Sequence, residues 1–172
     1  MIKLIGAVLV LFAGTMIGFA QAARFAERPK QIRSLLHALQ RLETEIGYGQ
    51  TPLPDALHRM SLAIPPPLSA MFAGIAAELR SGSGSTVGEV WEKALTAGWA
   101  STSMRAGEKE AMLRLGATLG GSGKEDQLKH VRLAELQLQS EEATAREEQQ
   151  RYEKLCRSLG VLGAALVVIL MV

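Results

Sequence analysis

The chain contains few aromatic residues and a single cysteine. Tyr, Trp and Phe together account for 5% of the 172 residues, while Ala, Leu, Glu and Gln dominate its middle. Strands are enriched in aromatic and β-branched residues, so this composition favours helices over sheets. Cys156 has no second cysteine with which to form an internal disulfide. The sequence therefore gives no indication of an oxidising compartment.

A large net charge is also missing. The formal net charge is +2, and Lys and Arg are interspersed with Glu instead of forming a basic block. Nucleic-acid-binding domains usually concentrate basic residues on one face. We therefore do not expect nucleic acid as a partner.

Charge is almost absent from the two ends of the chain. Lys3 is the only charged residue in residues 2–23, and residues 159–172 contain no charged residue. About 20 apolar residues cross a bilayer as a helix, and we interpret residues 1–23 as a transmembrane helix. The second segment is short, at about 21 Å of helix against a hydrocarbon core of about 30 Å. We interpret residues 159–172 as a C-terminal transmembrane segment.

Basic residues flank both apolar segments on the side of the middle domain. They are Arg24, Arg28, Lys30 and Arg33 after the first segment, and Arg151, Lys154 and Arg157 before the second. Because Lys and Arg collect on the cytoplasmic side of membrane helices, we expect a cytoplasmic middle domain with both termini outside. The alternative is a secretory signal peptide, since Ala20-Gln21-Ala22 has the form of a cleavage site. The protein would then be an exported, membrane-anchored scaffold in an intermembrane space, with residues 2–22 cleaved.

The middle of the chain has the pattern of a helical bundle. Apolar residues recur at three- and four-residue spacings, as on one face of a helix, and turns containing glycine or proline separate these stretches. The pattern predicts an all-α fold in which residues 24–124 form a small cytoplasmic bundle. Helix starts are predicted at Arg28-Pro29, residues 51–55, the prolines at 65–67, Thr86 with Glu89 as a capping box, and near residue 103.

The remainder of the chain is predicted to be one long helix. No proline follows Glu125, and the next glycine is Gly160. We interpret residues 125–158 as a bundle or stalk helix that continues into the C-terminal segment. Residues 139–151 are too polar to be buried on more than a thin stripe, so we expect this part to cross open solvent, with its paired glutamates on a solvated face.

Residues with an obvious chemical role are scarce. The glycine-rich residues 120–124 resemble a phosphate-binding loop, but Thr118 and Glu125 occupy positions where that motif needs Gly and Ser or Thr. The three histidines lie on different predicted helices, without the paired ligands that a metal site needs; they are His37, His58 and His130. We therefore expect no enzyme activity, no metal and no cofactor.

A few positions are candidates for contacts with a partner protein. Two are basic and adjacent to the first apolar segment, three lie in a turn, and one is a tryptophan at a helix break: Arg28 and Arg33; Gly49, Pro52 and Leu53; and Trp99. Each has an alternative interpretation. The arginines could contact lipid, the turn could be a simple helix connection, and the tryptophan could be buried in the core.

Three stretches resemble the stage III sporulation protein AB family of endospore-forming bacteria. They are residues 27–32 (ERPKQI), 42–57 (LETEIGYGQTPLPDAL) and 130–160 (HVRLAELQLQSEEATAREEQQRYEKLCRSLG). The resemblance covers essentially the whole chain. It implies a component of the assembly at the membranes between the mother cell and the forespore, which is thought to form a channel. The implied partners are other proteins of that assembly, including the protein AA ATPase.

A looser resemblance concerns residues 45–61 and 76–95. Both are similar to the cytoplasmic domains of platform proteins in type II secretion and type IV pilus machines. Those domains are small helical bundles that link a membrane platform to a cytoplasmic ATPase. The resemblance implies that this bundle docks an ATPase on the cytoplasmic side of the mother-cell membrane. A homo-oligomer is also compatible with it.

Overall fold

In a computed structural model, the backbone is described for residues 2–48, 51–82 and 84–171, and the side chains for residues 25–48, 51–82 and 84–155. These parts of the chain contain helices and no strands, which confirms the all-α prediction. The helices are α1 (Ile2–Tyr48), α2 (Leu53–Ser61), α3 (Leu68–Arg80), α4 (Val87–Gly98), a 3₁₀ turn (Trp99–Ser101), α5 (Ala106–Thr118) and α6 (Lys124–Met171).

The two long helices α1 and α6 pack against each other in antiparallel orientation along one side of the bundle. The four shorter helices form the other side, with each of them packed on the next in chain order and α5 packed on α6. The core lies between the two layers. Its largest fully buried side chains are Trp91, Phe72, Ile32, Leu35, Leu39, Leu42, Leu57, Met60, Leu68, Ile75, Leu95 and Met112.

The predicted helix start at Arg28-Pro29 is wrong, because α1 continues through Pro29 without a break. A proline inside a helix removes one backbone hydrogen bond and usually costs about 3 kcal/mol. Arg28, Pro29 and Ile32 are all buried in the bundle. We attribute the continuity of α1 to this packing on both sides of the proline, which outweighs the local penalty.

The other predicted starts agree with the structure to within about three residues, as is usual for helix ends. The Thr86–Glu89 capping box is present. The Glu89 N–H donates to Thr86 Oγ1 at 3.3 Å, and the Thr86 N–H donates to Glu89 Oε2 at 2.9 Å. After α5 the chain reverses at Gly120, whose φ of 81° is a left-handed conformation that glycine adopts without strain.

Trp91 fills the centre of the bundle where α4 crosses α5. Its indole N–H donates to the Met112 carbonyl at 2.7 Å, and its ring lies 5.5 Å from that of Phe72. A side chain at Gly116 would overlap the indole ring. Gly116 therefore lets α4 and α5 approach closely enough for Trp91 to be buried.

Residues 139–151 are buried only along a thin stripe, as predicted, but the prediction that they cross open solvent is wrong because this stripe packs against the bundle. Ala145 is only 1% exposed. Glu141, Glu142 and Glu148 form ion pairs with arginines of the neighbouring helices instead of lying on a solvated face. The stretch is polar because it packs through ion pairs, and an apolar pattern does not reveal this kind of burial.

Within the residues whose side chains are described, we find no helix that is both long and apolar enough to cross a membrane. The two predicted transmembrane segments, residues 1–23 and 159–172, lie outside those residues.

Candidate functional site

A cluster of charged side chains joins α1, α5 and α6 at the end of the bundle nearest the two apolar segments. Its centre is Arg28, which is 3% exposed. Each nitrogen of its guanidinium group contacts a different carboxylate: Nε contacts Glu108 at 2.8 Å, Nη2 contacts Glu141 at 2.9 Å, and Nη1 contacts Glu148 at 3.0 Å. We call these four residues, together with Arg105, the Arg28 cluster.

The start of α5 places Glu108 in this cluster. One carboxylate oxygen of Glu108 accepts a hydrogen bond from the Arg105 N–H at 2.9 Å, as in a capping box, and the other accepts from Arg28. The neighbouring Gly107 leaves room for the carboxylate of Glu141, which a Cβ at that position would displace. Glu108 is thus completely buried with both of its oxygens satisfied.

The pairing explains why the fold tolerates buried charge at this position. A buried ion loses several kcal/mol of hydration, which is offset only when its charge and hydrogen-bonding groups are satisfied. The Arg105 guanidinium adds a second positive charge, with Nη1 2.7 Å from Glu148. Three carboxylates therefore face two guanidinium groups. The charge is nearly balanced, and the geometry joins three helices at one point.

Two aromatic rings cover the cluster on the side of the chain ends. Phe25 of α1 and Tyr152 of α6 are stacked, with ring centroids 3.8 Å apart and planes inclined by 17°. The Arg105 guanidinium lies 5.9 Å from the Phe25 ring centroid, within the range of a cation–π interaction. The aromatic pair thus adjoins the Arg28 cluster through Arg105.

Two further ion pairs connect α1 and α6 along the bundle. Arg33 Nε lies 3.0 Å from Glu142, and Arg132 Nε lies 2.6 Å from Glu43. Burial raises the pKa of Glu142, but hydrogen bonds from Arg146 and Arg33 outweigh this effect and hold the pKa below its usual value. The two long helices are therefore joined by electrostatic contacts along their length as well as by the core.

The middle of α6 carries two exposed leucines and, toward α1, a partly buried carboxylate. Leu133 and Leu136 are 51% and 62% exposed. Within the described part of the chain, Oε1 of Glu135 is buried without a hydrogen-bond partner. Burial, and then the charge of Glu43, raises the pKa of Glu135 above its usual value, although Arg132 acts in the opposite direction.

The structure separates the predicted contact residues into buried and exposed ones. A partner docked on the folded bundle would not reach Arg28, because its side chain is enclosed in the cluster. Trp99 is 7% exposed and its indole N–H donates to the Arg105 carbonyl at 3.1 Å, so it is a core residue. Arg33, by contrast, has half of its side chain exposed.

The predicted turn contact is partly accessible. Pro52 is exposed, whereas Leu53 is half-buried and packs against the core. Gly49 lies outside the described residues. Arg33 and Pro52 are therefore the two predicted positions that the structure leaves open to a partner.

Sequence reasoning missed the acidic members of the cluster, Glu108, Glu141 and Glu148. The spacing of the two glutamates of α6 could have revealed them. Glu141 and Glu148 are seven residues apart, as are the buried Leu138 and Ala145, and the two pairs lie on adjacent positions of the same helical face. Acidic residues beside an apolar seam indicate a basic partner on the facing helix. No comparable local pattern links Glu108 to Arg28.

Three comparisons with known proteins agree with one another. The family model of stage III sporulation protein AB matches residues 3–172. Stage III sporulation protein AB of Bacillus subtilis (strain 168) is 39% identical over 171 residues, which are 99% of each chain. A solved structure of a stage III sporulation protein AB is 38% identical, has a TM-score of 0.68, and covers 73% of this chain and 98% of its own. The chain therefore belongs to the stage III sporulation protein AB family.

Proposed function

We propose that this sporulation protein is a non-enzymatic membrane assembly component of the channel between mother cell and forespore. In this proposal the bundle lies in the cytoplasm of the mother cell and binds the protein AA ATPase. The two terminal apolar segments are inserted in the surrounding membrane, with both termini outside, and contact the membrane subunits of the channel. The protein would thus link the ATPase to those subunits.

The observation that carries this proposal is the course of the two long helices. α1 and α6, of 47 and 48 residues, each run through the bundle and continue to an apolar segment at the same end of it. The Arg28 cluster connects both helices to α5 where they leave the bundle. A partner that displaces the bundle would therefore move both apolar segments together.

The basic residues near the apolar segments support a cytoplasmic bundle. Arg24 and Lys30 follow the first segment, and Arg151 and Lys154 precede the second. Although Arg28 is neutralised by carboxylates in the folded bundle, topology is set during insertion, when Lys and Arg near a segment determine which side is retained.

Co-purification from sporulating cells tests the contact with the ATPase. We expect the protein AA ATPase to accompany the tagged full-length chain in mild detergent. Arg33 and Arg146 both contact Glu142, so Arg33→Gln and Arg146→Gln remove similar ion pairs on different helices. If Arg33 contributes to docking, Arg33→Gln lowers recovery of the ATPase several-fold and Arg146→Gln does not. Recovery of the chain without the ATPase in every preparation would contradict the proposal.

The orientation in the membrane needs a separate test. Ser85 is exposed in the loop before α4, and Ser85→Cys in a Cys156→Ser background provides a single accessible thiol. We expect a membrane-impermeant maleimide to label it only after the mother-cell membrane is opened. Labelling in intact protoplasts made before the forespore is engulfed, or an intact mass that lacks the first 22 residues, would favour the exported scaffold in the intermembrane space instead.

A further inference from the structure

The antiparallel pair formed by α1 and α6 keeps a constant register throughout the described residues. As the residue number falls along α1, it rises by nearly the same amount along α6. The contacts that show this are Gly47 with Leu128, Glu43 with Arg132, Arg33 with Glu142, and Phe25 with Tyr152. Over about 33 Å of helix, the two helices neither slip past one another nor diverge.

The pair is held by an aromatic stack and an ion pair where the helices leave the bundle. The Phe25 and Tyr152 rings are stacked there at 3.8 Å, and the ion pair between Arg28 and Glu148 lies directly behind them. Both helices continue beyond this point, α1 toward Ile2 and α6 toward Met171. The apolar segments thus begin as direct neighbours, since packed helix axes lie about 8–10 Å apart.

We propose that the two apolar segments cross the bilayer side by side as one antiparallel hairpin, in the register set by Phe25 and Tyr152, with Gly14 opposite Gly163. This inference rests on the proposed membrane insertion. It adds that each segment packs against the other segment of the same chain, so that the outer faces of the hairpin are the ones that contact the membrane subunits of the channel.

Helix geometry identifies the positions that face each other. Gly14 is eleven residues before Phe25, and Gly163 is eleven residues after Tyr152. Eleven residues make about three helical turns, so a continuous helix would place each glycine on the same face as its aromatic residue, about 17 Å beyond the stack. Glycine at a facing position lets two membrane helices approach closely. The described register and the sequence of both segments therefore indicate the same contact.

The short second segment favours such a hairpin. A helix shorter than the hydrocarbon core of the bilayer gains from packing against a neighbour. In the hairpin that neighbour is held beside it by the bundle. The effective concentration of the two segments is then far higher than that of segments on separate molecules.

Disulfide cross-linking of the full-length chain in membranes tests the hairpin. In a Cys156→Ser background, Gly14→Cys with Gly163→Cys should form an intramolecular disulfide on treatment with copper-phenanthroline. This disulfide blocks modification by a polyethylene-glycol maleimide until dithiothreitol is added. The second pair, Gly18→Cys with Leu159→Cys, lies two turns beyond the stack and should behave in the same way.

A matched control pair lies at the same depth but on the other side of each helix. The control pair is Met16→Cys with Val161→Cys. Each of these positions is two residues from the tested Gly14 or Gly163, which rotates it by about 160° away from the interface. The control pair should cross-link at least ten-fold more slowly. Phe25→Cys with Tyr152→Cys should cross-link readily, which verifies that the bundle has folded in its register.

Each contrary outcome has a distinct meaning. The hairpin is overturned if chains that resist alkaline carbonate extraction cross-link through the Phe25/Tyr152 pair but not through the Gly14/Gly163 and Gly18/Leu159 pairs. The proposed function remains intact in that case. The hairpin is also overturned if cross-links appear only in dimers, or if the control pair reacts equally fast. Release of the chain by carbonate would overturn membrane insertion, and with it both proposals.

Discussion

Arg28 and Glu108 are 80 residues apart in the chain, and Nε of the arginine donates to the buried carboxylate at 2.8 Å. This bond joins α1 to α5, while the two remaining nitrogens of the same guanidinium group contact α6. One side chain of α1 therefore contacts two helices that are remote from it in sequence. The cluster lies where the two long helices leave the bundle, so its integrity determines how they leave it.

Replacing Arg28 by alanine should destabilise the fold by about 3–5 kcal/mol, because the buried Glu108 carboxylate would lose the positive charge that pairs with it. The free energy of unfolding is measured by adding denaturant to the full-length chain in mild detergent and monitoring the circular dichroism signal. Arg33→Ala is the control. Its pair with Glu142 is half-exposed, and the expected loss is below about 1 kcal/mol. Equal losses in the two variants would show that the Arg28 cluster contributes no more than a surface ion pair.

A second prediction concerns two glycines inside helices. Gly116→Ala should destabilise the protein by about 1–3 kcal/mol, because the added methyl group overlaps the indole ring of Trp91. Gly74→Ala in α3 is the matched variant, since nothing lies within 4 Å of the added Cβ. It should stabilise the protein by about 0.5–1 kcal/mol through helix propensity alone. Thermal unfolding of both variants measures this difference in sign, and shifts in the same direction would contradict it.

The predictions that succeeded rest on local patterns. The capping box at Thr86 and the proline run before α3 act within one helical turn, so the sequence contains the whole signal. The sequence also contains the seven-residue spacing of Val131, Leu138 and Ala145, which are buried on one side of α6. Such features need no knowledge of the partner helix.

The features that sequence reasoning missed depend on contacts between distant residues. Pro29 predicts a break, and only the packing of α1 in the bundle explains its continuity. The glutamates of α6 appear solvated until the arginines of α1 are placed against them. The same applies to the candidate site, since Arg28 is a candidate as a basic residue next to the first apolar segment, whereas the structure encloses it with carboxylates from two other helices.

The α4 capping box provides a third prediction. Thr86→Ala should lower the free energy of unfolding by about 1 kcal/mol, because the Glu89 N–H loses its acceptor. Ser85→Ala is the neighbouring control, since Ser85 is exposed and its side chain makes no hydrogen bond within the described residues. Urea unfolding of the two variants should separate them by this amount. Identical midpoints would mean that α4 is held by packing alone.

The last prediction uses two glutamates on α6 whose pKa values move in opposite directions. Burial, followed by the Glu43 carboxylate, raises the pKa of Glu135. Burial also raises that of Glu142, but the hydrogen bonds from Arg146 and Arg33 prevail and the pKa is lowered. For Glu135 the folded state holds its proton more firmly than the unfolded state. Its contribution to stability is therefore present at low pH and is lost as the pH rises through the raised pKa.

For Glu142 the sign is reversed: its contribution is present above the ordinary carboxyl pKa of about 4.3 and is lost as the pH falls through the lowered value. Thermal unfolding of Glu135→Gln and Glu142→Gln across the acidic to neutral range measures both effects. Relative to the unmodified chain, Glu135→Gln should gain stability as the pH rises, and Glu142→Gln should lose it. Because neither glutamine can ionise, parallel curves for the two variants would show that these carboxylates do not titrate as their surroundings imply.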